Sequence, residues 1–187
     1  MDESVIIETE RLILRQLKLE DADDLVEGLN NINITKWMSH TPFPYTKEDA
    51  IEYINKSLKD KAYNFAIVLK DENKVIGATQ LRSIDLDQGT AHGGIWINEK
   101  YHGYGYGTEA WGARIKYAFE VLGLRRLENG FFEGNESSKK MQEKFGYQIE
   151  GKKRQRYKCL STGLIVDEYI TGLLKDEWIQ YEHTSEK

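Results

Sequence analysis

The chain has 187 residues and a mass of 21.7 kDa, a length that predicts one domain with a full hydrophobic core. Hydrophobic residues make up 40% and charged residues 30% of it, and no apolar run reaches the ~18 residues that a membrane-spanning helix needs, so an ordinary soluble protein is expected. The formal net charge of −5 argues against nucleic acid as a partner and favours a cationic one.

The chain carries no Pro/Gly/Ser-rich linker, repeat or low-complexity block. We therefore expect a single domain over residues 1–180 and a polar tail over residues 181–187. The single cysteine, Cys159, and an acidic N-terminal segment unlike a signal peptide predict a cytoplasmic protein without an internal disulfide. His40 and His183 lack the spacing of metal ligands, so no metal site is predicted.

A strand and two helices are predicted in the first part of the chain. Residues 5–17 alternate apolar and polar side chains as a strand does. An acidic helix over residues 18–30 follows, with its apolar side chains along one stripe. Residues 37–45 hold both prolines and predict an irregular loop. Thr46 then opens a second helix as its N-cap, with Asp49 three residues later, as in a capping box.

The rest of the chain predicts a mixed sheet with further helices. Strand patterns are found at residues 64–69, 75–84, 90–97, 126–132, 147–159 and 164–174. Turn-forming residues between the first three of these predict an antiparallel meander. Helical patterns follow the glycine-rich residues 101–109 and span residues 135–145, and Gly123 and Gly146 end the two helices. The order β-α-α-β-β-β-α-β-α-β-β is an α+β pattern, in which the helix after the glycines must return its strand parallel.

The glycine-rich segment 101–109, Tyr-His-Gly-Tyr-Gly-Tyr-Gly-Thr-Glu, precedes a predicted helix. Closely spaced backbone N–H groups and the partial positive charge of a helix N-terminus form a cradle for an anion such as pyrophosphate. A dinucleotide-binding loop would have a third glycine where Thr108 stands, and a nucleotide P-loop would have a lysine that is absent here. The third alternative is the coenzyme A loop of the GNAT N-acetyltransferases, Arg/Gln-x-x-Gly-x-Gly/Ala, whose three positions hold His102, Gly105 and Gly107.

Four stretches of the chain together resemble the GNAT superfamily and, within it, the Rim-type group that includes the ribosomal-protein N-terminal acetyltransferases. They are residues 9–15 (Thr-Glu-Arg-Leu-Ile-Leu-Arg), residues 96–101 leading into 105–110, residues 135–140 preceding 144–147, and the hairpin positions Gly151, Arg154, Asp167, Leu173 and Leu174. The resemblance covers residues 10–178. It implies the GNAT fold, a mixed central sheet flanked by helices and splayed between its fourth and fifth strands, here residues 90–97 and 126–132.

The resemblance also implies how acetyl-CoA is held as cosubstrate. The expected cofactor-binding residues are Ile95, Trp96, Ile97, His102, Gly103, Tyr104, Gly105, Tyr106, Gly107, Thr108, Asn135, Ser138 and Lys140. The backbone of residues 95–97 is expected to hold the pantetheine arm, and the amides of residues 102–108 the pyrophosphate. Asn135 is expected at the pantetheine, Ser138 at the thioester sulfur as proton donor, and Lys140 at the 3′-phosphate. Because fixed N–H dipoles hold the anion, the loop tolerates histidine where the family has arginine or glutamine.

The general base is where the chain departs from the group's pattern. The group commonly reads Glu-Ile-Gly-Tyr-Trp-Ile, and this chain reads His-Gly-Gly-Ile-Trp-Ile at residues 92–97. His92 therefore stands at the position of the glutamate, and histidine, with an ordinary pKa of about 6.5, takes up a proton readily at neutral pH. Glu133 or a chain of waters is the alternative base, and a hydrogen bond to the backbone is the alternative role for His92.

The acceptor is expected to be a primary amine. Trp37, Tyr45 and Tyr157 are the expected substrate-binding residues, because the resemblance places their loop and hairpin around the acceptor site. Deprotonating an α-amine at pH 7 costs about 1 kcal/mol, against about 4.6 kcal/mol for a lysine or polyamine, which favours a protein N-terminal α-amine. Direct attack in a ternary complex is expected, since no activated nucleophile is evident. The alternatives are a small-molecule amine (polyamine or antibiotic) acetyltransferase and a non-catalytic coenzyme A-binding sensor. We expect a monomer or homodimer that binds neither membrane nor metal.

Overall fold

The computed structural model describes residues 5–59 and 63–178. The strands in this part of the chain are β1 (Ile7–Glu8), β2 (Leu12–Gln16), β3 (Tyr63–Leu69), β4 (Lys74–Asp85), β5 (Thr90–Ile97), β6 (Arg126–Phe132), β7 (Gln148–Lys158) and β8 (Ile165–Leu174). The α-helices with described bounds are α1 (Ala22–Leu29), α2 (Ile32–Thr35), α3 (Lys47–Lys59), α4 (Tyr106–Lys116) and α5 (Glu136–Lys144). The strands form one mixed sheet in the order β1-β2-β3-β4-β5-β6-β8-β7, in which β5 and β6 run parallel and the other described pairs run antiparallel.

The predicted α+β order is confirmed, with local differences. The predicted strand over residues 5–17 is a hairpin of β1 and β2, because the Thr9 N–H donates to the Leu12 carbonyl (3.0 Å) and reverses the chain. A one-turn helix, α2, lies where none was predicted, and the Asn31 side chain caps it by accepting from the Asn33 N–H (2.9 Å). The additional β1 makes β5 and β6 the counterparts of the predicted fourth and fifth strands.

Local signals place the ends of two helices as predicted. The Thr46 hydroxyl accepts from the Asp49 N–H (3.2 Å) and the Asp49 carboxylate accepts from the Thr46 N–H (2.8 Å), so the capping box before α3 is confirmed. Gly146 follows α5 at φ +88°, the left-handed conformation that glycine adopts at helix C-termini. The helix after the glycines is shorter than predicted, since α4 gives way to a π-helical turn at Tyr117–Val121.

Helices cover both faces of the sheet. α1 and α3 pack on one face, where Leu25 and Ile54 share a buried cluster with Ala66 of β3. α4 packs on the opposite face, where Ile115 shares a second cluster with Leu127 of β6. The two helix layers bury the sheet between them, so each helix places its apolar face against the sheet.

The parallel strands β5 and β6 separate after three residue pairs. Their register runs from Thr90↔Arg126 to His92↔Glu128 and then stops. Beyond that point β5 continues to pair with β4, and β6 with β8. Residues 93–97 and 129–132 therefore border an opening, called the cleft below, and those of their backbone N–H and C=O groups that point into it have no partner on the described strands. The cleft is the predicted splay.

The predicted tail at residues 181–187 lies outside the described residues. Within residues 5–59 and 63–178, no helix is long and apolar enough to cross a membrane. The same residues contain no group of three or more His, Cys, Asp or Glu side chains placed to hold a metal ion.

Candidate active site

The backbone of β5 presents alternate residues to the cleft. The Asn98 N–H donates to the Ile76 carbonyl on the β4 side (2.8 Å), and the Ile97 carbonyl points the opposite way, where it accepts from the His102 ring (2.8 Å). Because backbone groups alternate along a strand, the N–H and C=O of Ile95 also face the cleft. The Ile95 N–H and C=O fit an extended ligand that carries its own amides, as predicted for the pantetheine arm.

Trp96 differs from its neighbours in this respect. Its backbone belongs to the β4 side, opposite Ala78, and its side chain packs against α1. A Cβ on Gly28 would lie 2.5 Å from the Trp96 ring, which shows how closely helix and ring approach. Trp96 therefore anchors β5 to the core rather than lining the cleft, and of the predicted run the structure brings Ile95 and Ile97 to it.

The glycine-rich loop turns sharply into the N-terminus of α4. Gly103 and Gly105 have φ values of +85° and +84°, a left-handed conformation in which a side chain is strained. Gly105 is the N-cap of α4, so the first N–H groups of the helix are without intrahelical partners. Nothing lies within 4 Å of a Cβ placed on Gly103, so the space next to this glycine is open. The loop fits the anion cradle predicted for a pyrophosphate.

Arg11 and Glu109 hold this loop against the start of the sheet. The Arg11 guanidinium donates to the Tyr104 carbonyl (2.9 Å) and to the Glu109 carboxylate (2.7 Å), and the Thr9 hydroxyl also donates to Glu109 (2.6 Å). Burial opposes ionisation of Glu109, but the hydrogen bonds from Thr9 and Arg11 outweigh it and lower the pKa of Glu109. The Thr-Glu-Arg segment therefore has a structural role at the cradle that sequence reasoning had left unassigned.

The remaining side chains of the loop face different partners. The His102 Nε2 donates to the Ile97 carbonyl, which can only accept, so this ring atom fastens the loop to the end of β5. Tyr104 and Tyr106 stack on each other (5.9 Å between ring centroids), and the Arg11 guanidinium lies 4.6 Å from the Tyr106 ring. The cradle itself is therefore a backbone feature that the side chains of His102, Tyr104 and Tyr106 support. The predicted Lys140 lies outside the loop, exposed on α5.

His92 is paired with a carboxylate across the last parallel residue pair. Its Nε2 lies 2.9 Å from Glu128 Oε2, and Arg126 donates to the other oxygen of Glu128 (3.0 Å) and to Glu150 (2.7 Å). An ionised carboxylate only accepts, so Nε2 carries the hydrogen and Nδ1 of the neutral ring keeps its lone pair. Hydrogen bonds to Glu150 first and to Glu128 second raise the pKa of Arg126. Glu128 was not predicted from the sequence, because the pairing of Glu128 with His92 follows from the register of two strands.

Ser138 receives a hydrogen bond from a buried glutamine. Gln142, 1% exposed, donates its amide to the Ser138 hydroxyl oxygen (3.0 Å) and accepts from the Thr171 hydroxyl (2.5 Å). The same amide nitrogen lies 3.4 Å from the Gly130 carbonyl on β6, so its orientation is fixed. With its oxygen accepting, Ser138 can direct its O–H elsewhere. Gln142 and Thr171 were not identified from the sequence.

Asn135 has a structural role that leaves part of its side chain free. Its Oδ1 accepts from the Ser138 N–H (3.2 Å) and caps α5. The amide hydrogens of its Nδ2 are not needed for this cap, so they can donate to a ligand in the cleft. The cap also fixes the start of α5 beside the end of β6.

Aromatic side chains meet at the outer end of β6. A Cβ on Gly134 would lie 3.8 Å from the Trp37 ring, and the Tyr157 ring lies 5.8 Å from that of Phe132. The Leu160 N–H donates to the Ser39 carbonyl (3.1 Å), which docks the β7–β8 turn on the loop that carries Trp37. Thus Trp37 and Tyr157, far apart in the chain, lie around one end of the cleft.

Two other predicted residues lie elsewhere. Tyr45 is 5% exposed within the cluster formed by α1 and α3, and burial raises the pKa of its phenol well above the ordinary value. This position fits packing better than contact with a substrate. The Glu133 carboxylate pairs with Lys152 (2.7 Å), whereas His92 Nδ1 has no hydrogen-bond partner among residues 5–59 and 63–178. These contacts favour His92 over Glu133 as the base.

Comparison with known proteins agrees with this geometry. Residues 11–148 match the family model described as "Acetyltransferase (GNAT) domain". The chain is 36% identical over 173 residues to the uncharacterized N-acetyltransferase p20 of Bacillus licheniformis, covering 91% of this chain and 96% of that protein. It is 29% identical over 174 residues to the "Putative ribosomal N-acetyltransferase YdaF" of Bacillus subtilis (strain 168), covering 90% and 94% of the two chains.

A solved structure extends the agreement to three dimensions. The crystal structure of a GNAT-family acetyltransferase from Bacillus anthracis is similar with a TM-score of 0.81 at 27% identity, covering 92% of this chain and 100% of that one. The family model spans well over half of the chain, and the separated parallel strands and the glycine cradle are present as the resemblance implies. The chain therefore belongs to the GNAT superfamily of acetyl-CoA-dependent N-acetyltransferases.

Proposed function

We propose that the protein transfers an acetyl group from acetyl-CoA to a protein N-terminal α-amine by direct attack in a ternary complex. The observation that carries the proposal is the alignment of three features along one cleft. The anion cradle at Gly105 lies at one end, the Ile95 carbonyl lines the middle, and the Ile95 N–H lies toward the His92–Glu128 pair, where the cleft begins. This order matches the pyrophosphate, pantetheine and thioester of an extended acetyl-CoA.

His92 acts as the general base in this proposal. Its Nδ1 takes a proton from the acceptor ammonium, and Glu128 holds the ring through Nε2 and stabilises the imidazolium that forms. The freed amine attacks the thioester carbonyl carbon, a C–N bond forms, and the C–S bond then breaks with its electron pair on sulfur. Ser138 donates its O–H proton to the departing sulfur, so coenzyme A leaves as the thiol, and the Ser138 oxygen takes up the proton that the attacking nitrogen loses.

The preferred acceptor is a protein N-terminus rather than a polyamine. The relative YdaF is named for ribosomal N-acetylation, and the proposed base is a single histidine, which suits an amine that is easily deprotonated. Trp37 and Tyr157 supply an aromatic rim around which the first residues of a peptide can pack. We place the protein in the cytoplasm, where its free thiol at Cys159 stays reduced.

The test is thiol release from acetyl-CoA with a panel of acceptors. Peptides with a free N-terminus are compared with the same peptides blocked at the N-terminus but carrying an internal lysine, and with spermidine and an aminoglycoside. We expect turnover with the free N-termini and little with the blocked ones. Turnover confined to spermidine or the aminoglycoside would make the protein a small-molecule acetyltransferase. Tight coenzyme A binding without turnover of any amine would leave the sensor as the function.

A further inference from the structure

Arg114 on α4 is a buried arginine with no ion pair to a carboxylate among residues 5–59 and 63–178. It is 0% exposed, and its Nε and Nη2 have no hydrogen-bond partner within those residues. Burial lowers the pKa of Arg114, and the neighbouring Tyr147 phenol opposes that effect. A guanidinium nevertheless stays charged in proteins, and a buried charge without an opposite charge is costly. Nearby dipoles must therefore compensate it.

Backbone carbonyls of β4 and β5 provide that compensation. The Arg114 Nη1 donates to the Gln80 carbonyl (3.0 Å) and to the Gly94 carbonyl (3.1 Å). Gly93 makes room for this contact, because a Cβ there would lie 2.3, 2.7 and 2.9 Å from three guanidinium atoms. Gly93 is also the first residue of β5 beyond its last pairing with β6. The guanidinium therefore contacts β5 at the point where the cleft opens.

The contact bears on the peptide group between Gly94 and Ile95. This peptide is trans, since the cis peptide among the described residues is Phe43–Pro44, so the Ile95 N–H points opposite to the Gly94 carbonyl. The carbonyl faces β4, where the Thr79 hydroxyl also donates to it (2.9 Å). The Ile95 N–H consequently points into the cleft. Donors on a carbonyl polarise its peptide group and strengthen the attached N–H as a donor.

We infer that Arg114 is a positioning residue for acetyl transfer, acting through the Gly94–Ile95 peptide. It orients and polarises that peptide so that the Ile95 N–H donates to the thioester carbonyl oxygen. Negative charge collects on this oxygen as the C–N bond forms, and it returns to the carbonyl as the C–S bond breaks and sulfur leaves. Fixed donors at such an oxygen stabilise the transition state more than the ground state. The inference rests on the proposed function and adds Arg114 and Gly93 to it.

The first test replaces the charge while keeping the length of the side chain. Arg114→Met is expected to lower kcat roughly 10-fold or more, with an unchanged KM for acetyl-CoA, because the charge acts on the transition state. Thermal stability is expected to stay level or rise, since buried charges are often replaced by apolar groups without loss. Arg125→Met is the matched control: it removes an exposed guanidinium that also donates to a backbone carbonyl, that of Gln88 (2.7 Å).

A double-mutant cycle tests whether Gly93 acts through Arg114. Gly93→Ala displaces the guanidinium without removing it, so it is expected to lower kcat alone and to add little in the Arg114→Met background. Additive losses overturn the inference. The inference is also overturned if Arg114→Met lowers kcat, lowers Tm and raises KM together, because that result indicates only a loosened fold.

The infrared stretch of the bound thioester separates this inference from the proposed function. With acetyl-CoA carrying ¹³C at the thioester carbonyl, we expect a lowered stretching frequency on wild-type protein and a return toward the free value on Arg114→Met. An unchanged frequency and kcat in the variant overturn the inference while leaving acetyl transfer intact. A lowered frequency that returns toward the free value on Arg114→Met, without turnover of any amine, supports polarisation of the thioester through Arg114 and refutes the proposed function. Failure of the wild-type protein to bind acetyl-CoA overturns both.

Discussion

Gly105→Val tests the anion cradle, and the chain offers a matched control at Gly163. Both glycines have left-handed φ values, +84° and +71°, in which an L side chain costs about 1–2 kcal/mol. Space is not the limiting factor at either site, because a Cβ on Gly105 would meet Arg11 at 3.4 Å and one on Gly163 nothing within 4 Å. Each valine should therefore lower Tm by about 2–8 °C for a chain of this size.

The two variants should differ in coenzyme A binding. Relaxing the strain at Gly105 moves the backbone N–H groups of the cradle, and each charge-assisted hydrogen bond to a phosphate contributes about 1.5–3 kcal/mol. Losing two such bonds raises Kd by a factor of at least ~100. Calorimetric titration with coenzyme A measures this, and acetyl-pantetheine, which lacks the pyrophosphate, should bind both variants alike.

The reasoning fails if Gly105→Val binds coenzyme A within a few-fold of Gly163→Val. It also fails if acetyl-pantetheine loses as much affinity as coenzyme A does, because the effect would then not belong to the phosphates. A Gly105→Val protein that unfolds at room temperature while Gly163→Val stays folded would show that the loop is a structural element of the domain and not principally a binding loop.

Three further predictions follow from the site and its surroundings. His92→Ala should lower kcat by ~100-fold or more and remove the limb of the pH–rate profile near neutrality, and an unchanged profile would exclude His92 as the base. Thr171→Val should leave the buried amide oxygen of Gln142 without a hydrogen bond, which lowers the free energy of unfolding by roughly 1–3 kcal/mol and also lowers kcat. An unchanged kcat in a destabilised protein would show that Thr171 contributes only to packing. Hydrogen bonds from Lys74, then Lys100, lower the pKa of Glu27 to about 2 from 4.5, so its ionised form stabilises the fold above pH 4.5 and loses that effect as pH falls toward 2. Glu27→Gln should therefore lower stability by roughly 1 kcal/mol at pH 7 and by much less near pH 2, and a Tm difference independent of pH would contradict this.

Several features of the fold were predictable because their causes are local. The capping box at Thr46 and Asp49 joins atoms three residues apart, and the strand at Thr90–Ile97 has the predicted bounds. The glycines of the cradle could also be recognised, since a left-handed φ favours a residue without Cβ. Such signals depend only on residues close in sequence, so they can be recognised without the tertiary structure.

The chemistry within the site depended on contacts between distant segments. His92 was a candidate from its place in a motif, but its carboxylate partner Glu128 follows from the parallel register of two strands joined by a long crossover. Trp96 and Tyr45 show the converse. The motif suggested a binding role for Trp96 and the loop position suggested one for Tyr45, but tertiary packing turns Trp96 toward the core and buries Tyr45. Periodicity identifies the face of an element but not which element it meets.

The sequence by itself determined the superfamily, the order of elements and the glycine cradle, because turn-forming residues, the period of apolar residues and the spacing of motifs can all be read from the order of residues. Only the tertiary structure decided that Arg114 lies against Gly93, that Gln142 directs the Ser138 hydroxyl, and that Ile95 faces the cleft. In each case the deciding quantity is a distance between residues on different elements, which is set by strand register and helix packing rather than by local preference.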